Sequence, residues 1–250
     1  MVELPPLRPG VDARVVITPT PTGGETHPAV EAQLREARGN VSKVRVAERL
    51  VQPHPIIAAR YARRDKEIAG RQLIYDHRLR RLAKPAPFTP MERRCHRVLD
   101  AVLKALETQA ITVVENERRE ILASHGREQI QIQARIKLRQ VQRPLTDDER
   151  RWGYEASKDY RIELAETDIL IFEVKTWLPS GLKRIWQDGR KDTLETLAGE
   201  IVATLIAAFP LMRETRERSE EQARLHQIEQ QRRLEEERRQ RLDRDRYRRF

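Results

Sequence analysis

Cysteine is nearly absent: Cys95 is the only one in 250 residues, so the chain can form no intramolecular disulfide and no cysteine-based zinc site. That usage fits a reducing cytoplasm. Aromatic residues are scarce at 5%, and the packed core is therefore expected to be small for the length. The longest apolar stretch, Ile201 to Phe209, falls well short of the roughly 20 residues that span a bilayer. The proline-rich N-terminus lacks the basic start and apolar run of a signal peptide. No phosphate-binding glycine loop, dinucleotide turn or Gly-x-Ser-x-Gly elbow occurs. His54, His77, His96, His125 and His226 show no metal-ligand spacing, and no cofactor is expected.

Charge is abundant instead. Charged residues make up 35% of the chain and the net charge is +10. The excess is uneven, since residues 51–100 hold 12 basic side chains against 5 acidic ones. A local excess marks a contact surface for a polyanion, whereas an even halo would serve only solubility.

Three regions follow from the patterning. Residues 1–45 carry Pro5-Pro6, Pro9-Gly10, Pro19, Pro21 and Gly23-Gly24 and read as a partly extended segment. Within it, Val15–Ile17 suggests a short strand and His27–Arg38 a short helix. Residues 46–212 read as an α+β domain. Pro55 opens one helix; a clearer one follows Thr89, whose spacing to Glu92 is that of a capping box. Cys95, Val98, Leu99, Val102, Leu103 and Leu106 then form an apolar stripe that needs a partner surface.

An antiparallel sheet of about four to five strands supplies that surface. Ile111–Val114 and Glu120–Ala123 are the first strands, with His125-Gly126 as the next turn. From Ile130 to Leu138 apolar residues alternate with Gln131, Gln133, Arg135, Lys137 and Arg139, giving one buried face and one wet face. Tyr160, Ile162 and Leu164 alternate likewise, and Asp168 to Thr176 reads as a further run after a short turn. Helices on one face of such a sheet make a two-layer domain.

Asp192 and Glu195 again have capping-box spacing, and Pro210 is expected to kink the helix they open. Residues 213–250 are almost wholly Arg, Glu and Gln. Glu-to-Arg spacings of four recur at Glu214–Arg218, Glu220–Arg224, Glu229–Arg233, Glu235–Arg239 and Glu237–Arg241, each worth about 0.2–0.5 kcal/mol. Leu225, Ile228, Leu234 and Leu242 lack the 3-4 alternation of a coiled-coil seam, so a long, charged, solvated single helix is expected.

Four stretches together carry a resemblance: Leu50–Arg60 (LVQPHPIIAAR), Arg135–Thr146 (RIKLRQVQRPLT), Trp177–Gly189 (WLPSGLKRIWQDG) and Glu200–Met212 (EIVATLIAAFPLM). With the charged tail they resemble a family of uncharacterised bacterial proteins. Other members carry an N-terminal helix-turn-helix-like segment, absent here. The resemblance covers the chain from about Val46 onward and implies a fragment or shortened member without its DNA-reading part. It implies no activity, cofactor or catalytic residue.

Function is therefore weighed among three readings. The first is a non-enzymatic interaction or regulatory accessory protein that contacts DNA or another polyanion through a basic helical region. Arg60, Arg63, Arg64, Lys66, Arg71, Arg78, Arg80 and Arg81 are its candidates, with Tyr61, Tyr75 and His77 interleaved to stack on bases. The second is a structural module that meets a protein partner, or itself, through the C-terminal helix. The third rests on Glu173 and Lys175, spaced as in PD-(D/E)xK nucleases, where the carboxylate holds magnesium and the lysine steadies the attacking water. Here the expected Pro-Asp is missing, and Asp168, five positions away, faces oppositely unless a bulge intervenes. Trp177 and Trp186 are expected to anchor a loop at the sheet edge.

Overall fold

The computed structural model describes residues 28–41, 44–75, 86–151, 159–179 and 181–247. The Val15–Ile17 strand, His77, Arg78, Arg80 and Arg81 lie outside them. The chain is α+β: helices α1 (Pro28–Asn40), α2 (Pro55–Gln72) and α3 (Pro90–Glu107) precede the sheet. Strands β1 (Thr112–Glu115), β2 (Ile121–His125) and β3 (Glu128–Pro144) follow, then a short α4 (Asp147–Arg151). Strands β4 (Tyr160–Val174) and β5 (Ile185–Gln187) lead into α5 (Leu194–Tyr247). The five strands form an antiparallel meander in the order β1-β2-β3-β4-β5.

Helix α3 forms as its sequence dictates. The Thr89 hydroxyl accepts from the Glu92 N–H, and the Glu92 carboxylate accepts from the Thr89 N–H at 2.7 Å. Every member of its apolar stripe is buried, against Val113, Ile121, Ile130, Ile132 and Phe172 of the sheet and Ile201, Val202 and Leu205 of α5. Removing a Leu or Val side chain from water is worth about 1.5–3 kcal/mol, so this stripe is a principal source of stability. Helix α1 adds Val30 and Ala37 to the buried surface beside α5.

Two expectations need correction. Helix α5 starts at Leu194, one residue later than the Asp192/Glu195 reading sets it. Its capping contacts run from the Thr193 N–H to the Thr196 hydroxyl at 3.1 Å and from the Leu194 N–H to Asp188 at 2.7 Å. Glu195 is drawn away to Arg94, 2.6 Å distant. Second, no turn divides Tyr160 from Val174. The pairing shifts between Ile136/Leu170 and Leu138/Glu166, so Thr167 to Ile169 form a bulge in one strand. The Thr167 hydroxyl closes it by donating to the Lys137 carbonyl at 2.7 Å. Pro210 lies inside the continuous span of α5, after turns that are buried in the core.

Over its first turns α5 is long and apolar enough, by length and composition, to cross a membrane, but 61% of that segment is buried in this core. Arg216 still touches the body through Glu128 at 2.7 Å; beyond it the described residues are exposed. Among the five Glu–Arg spacings, the Glu214–Arg218 and Glu229–Arg233 pairs close. Glu220 turns back to Arg216 instead. Trp186 is the expected anchor, with its indole N–H donating to Glu200 at 3.0 Å, whereas Trp177 is 61% exposed and anchors nothing.

Candidate anion-binding surface

The arginines of α2 turn inward. Ile56 and Ile57 bury one face of the helix, which brings Arg60 and Arg63 over the end of β1. The Glu115 carboxylate there accepts from Arg60 Nε at 2.9 Å and from Arg63 at 3.0 Å. Burial works to raise the Glu115 pKa, but the two guanidinium hydrogen bonds outweigh it and hold the carboxyl below its usual range. Arg64 lies 4.6 Å above the Phe88 ring, which packs edge-on with Tyr61 and His96. Burial first, and then the charges of Arg60 and Arg64, push the His96 pKa down to about 4. Lys66 is exposed on the far side of the helix, and Arg71 is half-buried near its end. Of the eight arginines and lysines singled out in sequence, Arg60, Arg63 and Arg64 are thus brought together, while Lys66 and Arg71 are not.

A residue pair that sequence reasoning passed over completes the site. The β1–β2 turn is locked by Asn116, whose side-chain oxygen accepts from the Glu120 N–H at 2.9 Å. The Arg119 N–H donates to the Asn116 carbonyl at 2.9 Å, which forces Arg119 to φ +64°. That left-handed conformation costs an arginine about 1 kcal/mol and a glycine nothing. Arg118 and Arg119 are both exposed, and among the described residues neither makes an ion pair. They look across a notch of about 450 Å³ whose lining also includes Arg60, Gln131, Gln133 and Lys175. A neighbouring hollow of about 190 Å³ joins Arg60 and Arg119 to Arg63, Arg64 and His96. The signal in sequence was the charged turn Asn116-Glu117-Arg118-Arg119 between two apolar strands, whose partners lie on α2 and beyond β4.

From the notch a basic track continues along the outer face of the sheet. Register places Gln133 opposite Glu173 and Arg135 opposite Ile171; after the bulge Arg139 faces Ala165 and Arg143 faces Arg161. Lys137 and Arg139 are exposed. Glu173 is paired with Lys175 at 2.8 Å and with Arg135 at 3.6 Å, and the Lys175 hydrogen bond holds its carboxyl below the usual range. Asp168 stands exposed in the bulge. Among the described residues no group of three or more His, Cys, Asp and Glu side chains is placed to hold a metal ion.

Compared with family models, curated proteins and solved structures, the chain matches none.

Proposed function

We propose that this protein is a non-enzymatic interaction module, acting in the cytoplasm as an accessory factor, that binds nucleic acid through its phosphate backbone. The observation that carries the reading is the convergence of Arg60 and Arg63 from α2, Arg118 and Arg119 from the β1–β2 turn and Lys175 from the end of β4 on two hollows that share Arg60 and Arg119. Five cations from three separate elements face Glu115 and Glu120 there, and one of them occupies a backbone conformation that glycine would fill without strain. Strain held at an exposed arginine points to a selected role for its side chain. The track through Arg135, Lys137 and Arg139 gives the backbone of a strand a path to follow. Helix α2 therefore supplies only part of the surface, and its arginines act mainly by setting the rim.

Phosphate contacts release counterions, so affinity for an oligonucleotide should fall steeply between about 50 and 200 mM salt. Neutralising Arg118, Arg119 and Lys175 removes three contacts and should flatten the log–log salt slope by about 2–3. Fluorescence anisotropy with labelled single-stranded and duplex DNA measures both. Arg119→Gly is the decisive single variant, because it should bind more weakly while gaining about 1 kcal/mol of stability. Salt-independent or absent binding by the intact chain would refute the proposal.

A further inference from the structure

The two faces of the β3–β4 ribbon differ, and among the described residues the outer part of the face turned away from the basic track lacks a partner. Strand β2 pairs with β3 only as far as Ile132, and β5 pairs with β4 only from Ile171 to Glu173. Beyond those points β3 and β4 have, among the described residues, no strand partner but each other, over residues 133–144 and 160–169. The face that buries Ile130 and Ile132 under the helices continues outward along this ribbon. Leu138 is 48% exposed, Ile162 54% and Leu164 65%. Thr89, at the start of α3, bonds Glu166, so the helical layer ends where this apolar strip begins.

A two-stranded ribbon with open edges is marginal in water unless its apolar face is covered. We infer that this face packs against the same face of a second copy of the chain. Charge selects that occupant. From the Leu138–Glu166 pair outward, Leu164 stands opposite Gln140 and Ile162 opposite Gln142, and Glu166, at the helix end, is the one charged side chain on the strip. A chain of net charge +10 meets a copy of itself with least repulsion through a face free of cations. A polyanion would leave its phosphates unpaired there and is directed to the opposite face, where Lys137 and Arg139 stand. Two ribbons can stack about 10 Å apart around a two-fold axis, each contributing the same residues. Seven residue pairs at about 3.3 Å each give a strip roughly 20 Å long and two strands wide. That is well under the roughly 800 Å² per partner of a tight interface, so the dimer should be a micromolar one.

The inference does not depend on nucleic-acid binding, and the test separates the two. Sedimentation of the intact chain from about 5 to 200 μM should move from monomer towards dimer. The double variant Ile162→Lys and Leu164→Lys should stay monomeric across that range with unchanged Trp186 fluorescence, because both side chains are already exposed. Lys137→Ala with Arg139→Ala should still dimerise. Leu225→Lys with Ile228→Lys, on the exposed part of α5, should also still dimerise. As a second measurement, Gln140→Cys should be joined to its copy by a bis-maleimide of roughly 10 Å reach, as faces stacked about 10 Å apart require. A wild-type chain that remains monomeric throughout would overturn the inference. So would loss of the dimer in the α5 variant with retention in the ribbon variant.

Discussion

Asp188 is the residue whose loss should damage the fold most per atom removed. Its side chain is 8% exposed and joins three elements at once. One carboxylate oxygen accepts from the Leu194 N–H at 2.7 Å, at the start of α5; the other accepts from the Leu170 N–H at 2.9 Å, in β4. Arg94 of α3 donates to both, at 2.7 and 3.2 Å. Asp188→Ala strands two buried backbone N–H groups at about 1–2 kcal/mol each and removes an anion from a helix N-terminus, worth about 0.3–1 kcal/mol. Arg94 keeps Glu195, so the full penalty of an unpaired buried cation does not apply. The expected loss is about 2–5 kcal/mol, or roughly 4–20 °C in Tm for a chain of this size. Urea unfolding followed by the fluorescence of buried Trp186 measures it without interference from fraying of the exposed helix. Asp188→Asn can keep one acceptor and should fall between wild type and alanine. A loss under about 1 kcal/mol for Asp188→Ala would refute the idea that this carboxylate ties the helices to the sheet.

Other perturbations test other parts of the same account. Pro210→Ala restores an N–H donor to the middle of α5 at an exposed position, and the urea midpoint should rise by the equivalent of about 1–3 kcal/mol. His96 is held neutral with a pKa near 4, against about 6.5 when unfolded. Below pH 6.5 the unfolded chain therefore takes up the proton first. Stability should fall by about 2–3 kcal/mol as pH drops from about 6.5 to 4, and His96→Gln should flatten that slope in pH-dependent urea titrations. Burial raises the Cys95 thiol to about 11, so Ellman's reagent should find no reactive thiol in the native protein and one after denaturation. Thr89→Ala breaks the capping box of α3 and should cost about 1 kcal/mol by thermal denaturation.

Where local spacing decides structure, the sequence was a sufficient guide. The Thr89/Glu92 box, the i, i+3, i+4 stripe of α3 and the alternation from Ile130 to Leu138 all reappear in the fold, because each is fixed by neighbours within a turn or two. The failures share one physical cause. Asp192 and Glu195 have cap spacing, yet Arg94, 101 residues before Glu195, captures that carboxylate. A short turn was expected between Leu164 and Asp168, where strand pairing instead absorbs the irregularity as a bulge against Lys137. Alternation at Tyr160, Ile162 and Leu164 implies a buried face, but among the described residues no helix reaches that far along the ribbon.

The same limit governs the reading of charge. Residues 51–100 carry the largest excess of basic side chains, and a linear count places the anion surface on them. Folding subtracts from that count through pairs no window can see: Glu115 takes up Arg60 and Arg63, 55 and 52 residues away, and Asp188 and Glu195 take up Arg94. It also adds cations from stretches that look balanced in sequence: among the described residues Arg118 and Arg119 make no ion pair, and on the face of Lys137 and Arg139 the acid Glu163 is held by Arg143. Glu166 projects to the apolar side of the ribbon, opposite Leu138, while Arg139 projects to the other. Period-two alternation thus sorts a nearly neutral ribbon into one cationic face and one almost uncharged face. The two proposed contacts, a polyanion on one side and a second copy on the other, therefore fall on opposite faces of the ribbon and do not obstruct each other.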